Sequence, residues 1–148
     1  MSNWEKIVRI LDNLNKAVED LRRRVSFIEA NAEFSQAMTI VAVIPGPVVT
    51  GVFAPRFQLK DDVRFEYAYA TLDTAGAGAT VIDVLLNGVS IFAVTPANRI
   101  SLGAGATSAD SGTPDTRSGT AGDYLQVETV TAGAGAADPV VHIRCWRR

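Results

Sequence analysis

His142 and Cys145 are the only histidine and the only cysteine in the chain, and imidazole and thiol are the side chains closest to proton transfer and nucleophilic attack at neutral pH. A Ser-His-Asp arrangement needs His142 beside a nucleophile and an orienting acid, and a zinc site needs further nitrogen or sulfur ligands. The sequence supports neither. His142 stands between Val141 and Ile143 in an apolar run, and strand alternation puts it on the face opposite both. The same alternation places Cys145 with Val141 and Ile143, as a buried core thiol. Carboxylates offer another route. Asp61-Asp62 and the group Asp110, Asp115 and Asp123 carry the oxygen ligands that calcium takes, but their spacing fits no calcium loop, and turn and cap roles are expected. No phosphate-binding glycine loop of the required spacing is present. Paired carboxylates for glycoside cleavage would have to converge in space. The expectation is a non-enzymatic protein with no catalytic residue, no metal and no cofactor.

Composition narrows the field further. The 148 residues suffice for one ordinary domain and an appendage. A hydrophobic share of 47% against 20% charged supports a packed core. The net charge of −2 gives no basic excess for nucleic acid. Arg22, Arg23 and Arg24, and Arg147 with Arg148, cluster without interleaved aromatics and are expected to be solvated. One cysteine allows no intrachain disulfide. No charged region followed by an apolar run suggests a signal peptide, and no stretch is apolar enough for membrane insertion. Synthesis in a cytoplasm is expected.

The elements divide near residue 35. Residues 3–34 hold no Gly and no Pro. Trp4, Ile7, Leu11, Leu14, Val18, Leu21, Val25 and Ile28 follow one another at alternating steps of 3 and 4. Helices carrying such a seam supercoil left-handedly to keep it buried. Residues 1–35 therefore read as a coiled-coil rod, capped at Ser2 or Asn3 with Glu5 in the first turn. An amphipathic helix lying on the rest of the chain is the alternative. The seam alone does not fix the number of strands, since Val with Leu leans to two and Ile to more. Arg24, Val25, Ile28 and Glu29 resemble the signature of short trimeric coiled coils, and that resemblance implies a homotrimer. There the arginine stem covers the seam and its head meets a neighbouring glutamate. Val8 and Ile10 widen the apolar stripe near Trp4, Ile7 and Leu11. This end is read as an anchor that docks on another protein.

Residues 36–148 read as an all-β head, a β-sandwich of jelly-roll type. Strands are expected at 38–44, 48–53, 56–59, 63–72, 80–86, 89–94, 99–102, 124–130 and 140–146. In the fourth, Val63, Phe65, Tyr67 and Tyr69 alternate with polar residues and are expected to face inward. Asn87-Gly88 is the strongest hairpin signal, since this pair supplies the positive φ of a type I′ turn. The segments 74–79 and 131–136 are identical, Thr-Ala-Gly-Ala-Gly-Ala, and Gly103-Ala104-Gly105-Ala106 echoes them. They are expected to be permissive turns, or else a smooth tip or subunit contact. The stretch 103–123 holds no Leu, Ile, Val or aromatic residue. A loop of this length is functional, or a crossover pinned by a neighbour.

Residues 80–92, Thr-Val-Ile-Asp-Val-Leu-Leu-Asn-Gly-Val-Ser-Ile-Phe, followed by Gly122-Asp123-Tyr124-Leu125-Gln126-Val127 and the last apolar strand, resemble a module of tailed-bacteriophage virion proteins. The resemblance covers roughly 60–146 and is to head-fibre, decoration and tail-fibre chains. It implies trimeric fibres on the virion surface, made in the host cytoplasm, with capsid or tail proteins and a host surface receptor as partners. It carries over no catalytic residue. A tail receptor-binding tip, or a cellular trimeric jelly-roll binding module, are the alternatives.

Overall fold

The computed structural model describes residues 1–32 and 36–148, the side chains of 26–32 excepted. The chain forms two compact units, Met1–Ser35 and Gln36–Arg148.

The first contains one α-helix, α1 (Asn3–Ala32). Its start is a reciprocal cap. The Ser2 Oγ accepts from the Glu5 N–H at 3.2 Å, and the Ser2 N–H donates to the Glu5 carboxylate at 2.6 Å. Two amide donors that the first turn would leave unpaired are thereby satisfied.

The second unit is built from antiparallel strands. In chain order these are β1 (Gln36–Val43), β2 (Gly51–Val52), β3 (Phe57–Gln58), β4 (Val63–Thr74), β5 (Thr80–Leu86), β6 (Val89–Ser90) and β7 (Ile100–Leu102). They are followed by β8 (Ser108–Asp110), β9 (Ser118–Gly119), β10 (Tyr124–Thr131) and β11 (Ala137–Arg147). A five-stranded sheet runs β1-β11-β4-β8, with β9 also on β4. A six-stranded sheet runs β2-β10-β5-β6, with β3 on β10 and β7 on β5. Early and late strands alternate in both, as when one long ribbon is rolled up. The core lies between the sheets. Phe65, Ala70, Val141 and Ile143 of one meet Ile82, Val84, Leu125 and Val127 of the other. Each large side chain so buried stabilises the fold by about 1.5–3 kcal/mol.

Several strands depart from the sequence expectation, each for a local reason. The segment 48–59 is a strap with only two short pairings to β10. Pro47 and Pro55 cannot donate to a ladder, and Gly51 sits at φ +127°. The strand expected at 89–94 stops at Ser90, because adjacent Ile91 and Phe92 both enter the same core cluster. Two consecutive side chains cannot share one face of a strand. The chain turns instead, and Phe92 N–H donates to Ser90 Oγ at 3.0 Å. Asn87 and Gly88 take φ of 51° and 83° in the tight β5–β6 turn. The stretch 103–123 is a crossover within the chain. It leaves the six-stranded sheet, lays β8 and β9 along β4, and returns as β10.

In β4 the expected alternation breaks at a bulge. Phe65 faces Cys145 and Tyr67 faces Arg144, so Glu66 has no partner in the ladder. Val63 and Phe65 point inward before it, and Ala68, Ala70 and Leu72 after it. Tyr67 and Tyr69 are therefore turned outward, contrary to the reading of the sequence.

The small-residue loops meet at one end. Ala77 N–H donates to Ala134 O at 2.7 Å, and Gly105 N–H to Gly76 O at 2.9 Å. The contact is intramolecular, and it is tight. A Cβ on Gly133 would lie inside contact distance of the Gly78 carbonyl oxygen and 2.8 Å from Thr80 Oγ1. Gly133→Ala is thus expected to cost about 1–3 kcal/mol. Gly103, with nothing within 4 Å of an added Cβ, serves as the control, and its change to Ala should be close to neutral. Urea unfolding of both variants decides this, and a loss at Gly133 no larger than at Gly103 would contradict the packing.

Candidate functional site

The carboxylates that could have gathered a cation are engaged elsewhere. Asp115 accepts from the Val94 and Thr95 N–H groups at 2.9 and 2.7 Å and from Thr95 Oγ1 at 2.9 Å. Its pKa is held below the ordinary carboxylate value, chiefly by the Thr95 backbone N–H. Asp123 takes bonds from Asn87 Nδ2 at 2.8 Å and from the Thr120 N–H at 2.8 Å, and is lowered first by Asn87. Hydrogen bonds to an ionised group favour that form, so both contributions are lost as pH falls through the folded-state values. Asp61 pairs with Arg147 at 2.8 Å, and Asp62 accepts from Ala121 N–H at 2.9 Å. Among the described residues no group of three or more His, Cys, Asp or Glu side chains could hold a metal.

Cys145 is fully buried, and desolvation, slightly offset by Arg144, pushes its thiol up to about 11. Such a thiol is inert at neutral pH. His142 lies on the outward face of β11. Its ring stacks on Tyr69 with centroids 4.3 Å apart and planes 3° from parallel. No nucleophile and no acid completes a catalytic set around it among the described contacts.

The residues expected to mediate assembly lie on α1. Trp4, Ile7, Leu11, Leu14, Val18, Leu21 and Val25 are all exposed in the single chain, Trp4 at 70% and Leu21 at 58%. Val8 and Ile10 are exposed beside them, and Arg24 is exposed at the next seam boundary. The side chains of Ile28 and Glu29 lie outside the described residues. An ion pair between Arg22 and Glu19 at 3.1 Å decorates the helix, and its exposure makes it worth little. Among the described residues no helix is long and apolar enough to cross a membrane.

At the end of the head opposite the start of β1, an apolar cavity of about 170 Å³ opens between the strap and β10. Val48, Phe53, Ile44 and Pro139 line it.

No protein-family model matches the chain, and no curated protein matches its sequence. Solved structures overlap it faintly. A chain of the acidic stable capsid of Helicobacter pylori bacteriophage KHP30 is 11% identical, with a TM-score of 0.47 over 76% of this chain and 89% of that one. A chain of the cyanophage Pam1 capsid asymmetric unit is 14% identical, with a TM-score of 0.44 over 76% and 86%. The carbohydrate-binding module CBM36, in complex with calcium and xylotriose, is 11% identical, with a TM-score of 0.39 over 74% and 98%. Likenesses of this degree transfer no function.

Tyr67 and Tyr69 escaped the reading of the sequence because the bulge reverses the phase of β4. A signal for it exists. Phe65 and Leu72 are seven residues apart and both buried, an odd separation that an unbroken strand cannot place on one face.

Proposed function

We propose that the chain is a structural protein of a tailed-phage virion, a homotrimeric head fibre or decoration protein without catalytic activity, held by its N-terminal helix with the β head turned outward. The observation that carries this reading is the seam of α1. Seven consecutive heptad positions from Trp4 to Val25 are apolar and exposed in one chain, and apolar surface in that arrangement is buried by further copies of the same helix. Arg24 and Glu29, at the boundary of the seam, are the pair that would select three. The resemblance of residues 80–92 and 122–127 to virion modules gives the setting. The strand order, with β11 between β1 and β4 and β10 between β2 and β5, fits the jelly-roll plan that capsid domains often use. The tip loops at 74–79, 103–106 and 131–136 gather at the end of the sandwich away from Gln36, since β1 begins opposite Arg147 and ends beside Val140. That end is suited to contact with a host surface.

Trp4, Ile7, Val8, Ile10 and Leu11 form the virion-proximal anchor in this reading. Deleting residues 1–10 should leave a soluble chain with β-rich circular dichroism and bring its copy number in purified particles to background. A truncated chain that incorporates at the normal copy number would place the anchor in the head and reverse the orientation.

A further inference from the structure

We infer that the outward face of the five-stranded sheet is an interface covered by a second copy of this chain, in addition to the helical seam. The inference rests on the trimeric reading above.

The two sheets differ in what covers them. On the six-stranded sheet, Asp83, Leu85 and Gln126 point away from the core by alternation, yet they are 0%, 6% and 9% exposed. The chain itself covers them. Gln126 reaches the Phe53 carbonyl of the strap at 3.5 Å, and Asp83 is bonded by Ser90 at 2.9 Å and by Arg99 at 2.6 Å. The five-stranded sheet has no such strap among the described residues. Its outward positions carry Val41 on β1, His142, Arg144 and Trp146 on β11, and Tyr67 and Tyr69 on β4. Aromatic residues and arginine on a half-exposed face are the composition of an interface centre. The rings are already ordered: Tyr69 stacks on His142, Tyr67 lies 6.3 Å from Tyr69, and Trp146 Nε1 donates to Glu66 at 3.1 Å.

Chain connection argues for a second copy as the occupant. β1 is an edge strand with one side unpaired among the described residues, and edges of this length are ordinarily covered. It is also the strand that follows α1, after residues 33–35 alone. Four peptide links span at most about 15 Å, so joining the helices would tether the heads at high effective concentration for one another. Charge favours a head-to-tail ring. Arg144 leans toward β1, its Nη1 3.4 Å from Thr39 Oγ1, while Asp110 stands on β8 at the other edge of the sheet. In a ring of three, one edge of a protomer approaches the opposite flank of the next, and these two side chains meet with opposite sign.

His142, the sole histidine, makes a single-site probe. The full-length chain is treated with diethylpyrocarbonate and imidazole modification is followed at 240 nm, with sedimentation equilibrium on the same sample. Two references have an open face: Val41→Asp, at a residue 43% exposed in the single chain, and the dissociated Leu14→Asp/Leu21→Asp chain. His142 in the native particle should react about tenfold or more slowly than in either reference. A trimer whose His142 reacts as fast as in the references overturns the inference while sparing the trimeric reading. The aromatic face would then be open to another partner, such as a saccharide stacking on the rings. A native chain that sediments as a monomer overturns both.

Discussion

Leu14→Asp combined with Leu21→Asp is expected to turn a three-chain particle into single chains at micromolar concentration. Both leucines sit on the exposed seam of α1, and in a bundle each position becomes a layer at the axis. Three carboxylates would then face one another without partners, at a cost of several kcal/mol per layer. Loss of the leucine contacts adds about 2–5 kcal/mol per site. A short rod cannot absorb both. Sedimentation equilibrium of the native and doubly substituted chains reads the result directly. A native chain that runs as a monomer or dimer would refute the coiled coil as the organiser, and so would a triple variant, with Val41→Asp added to open the sheet face, that keeps its mass at micromolar concentration. Smaller effects are expected at the seam boundary. Loss of Arg24 should weaken assembly by about 0.5–1 kcal/mol, and less in high salt.

Asp83→Ala should be the most damaging single change in the head. Asp83 is completely buried on the outer face of the six-stranded sheet, beneath Ser90 and Arg99. Its carboxylate accepts from Arg99 Nε at 2.6 Å and from Ser90 Oγ at 2.9 Å. These bonds fix the turn after β6 that drives Ile91 and Phe92 into the core. Removing one partner of such a pair typically costs about 3–5 kcal/mol, which for a domain of this size lowers Tm by on the order of 15–20 °C. The side chain of Arg99 is 25% exposed, so water recovers part of its hydration and the lower end of the range is expected. Asp83→Ala with Arg99→Leu should regain some of the loss, since no charge is then left unpaired. Circular dichroism melts of both variants test this. A fall of less than about 1 kcal/mol for Asp83→Ala would show the pair to be incidental.

How far the sequence could be read depended on how local the deciding physics was. The helix, its cap and the Asn87-Gly88 turn were legible because each is set by neighbours a few residues apart. β5, β10 and β11 were legible because one face of each carries a run of Val, Ile and Leu. The phase of β4 was not, since the bulge at Glu66 is fixed by the ladder with β11, about 80 residues away in the chain. Nor were β8 and β9. They hold small polar residues that no hydrophobic pattern marks, and they exist as strands only because β4 offers them a free edge. The mutual packing of the two identical loops was invisible for the same reason, as it requires β5 and β10 to be paired first. Of the candidate site, the apolar stripe of α1 was legible by its spacing, whereas the aromatic face required the fold.

β11 comes last among the strands, yet it lies at the centre of its sheet, with β1 and β4 as flanks that have no direct pairing with each other. A ribosome therefore releases the rest of the head before the strand that unites it. Pairings of such long range form slowly, whereas α1 emerges first and needs only local bonds. In the trimer proposed above, three chains would meet through their helices while their heads are still incomplete. The encounter raises the effective concentration of the heads for one another during the slow step. A chain interrupted before Ala137 would carry a competent helix and no closed sandwich, and could spoil the particle it joined. Synthesis through β11 is, for this topology, a condition of closing the five-stranded sheet.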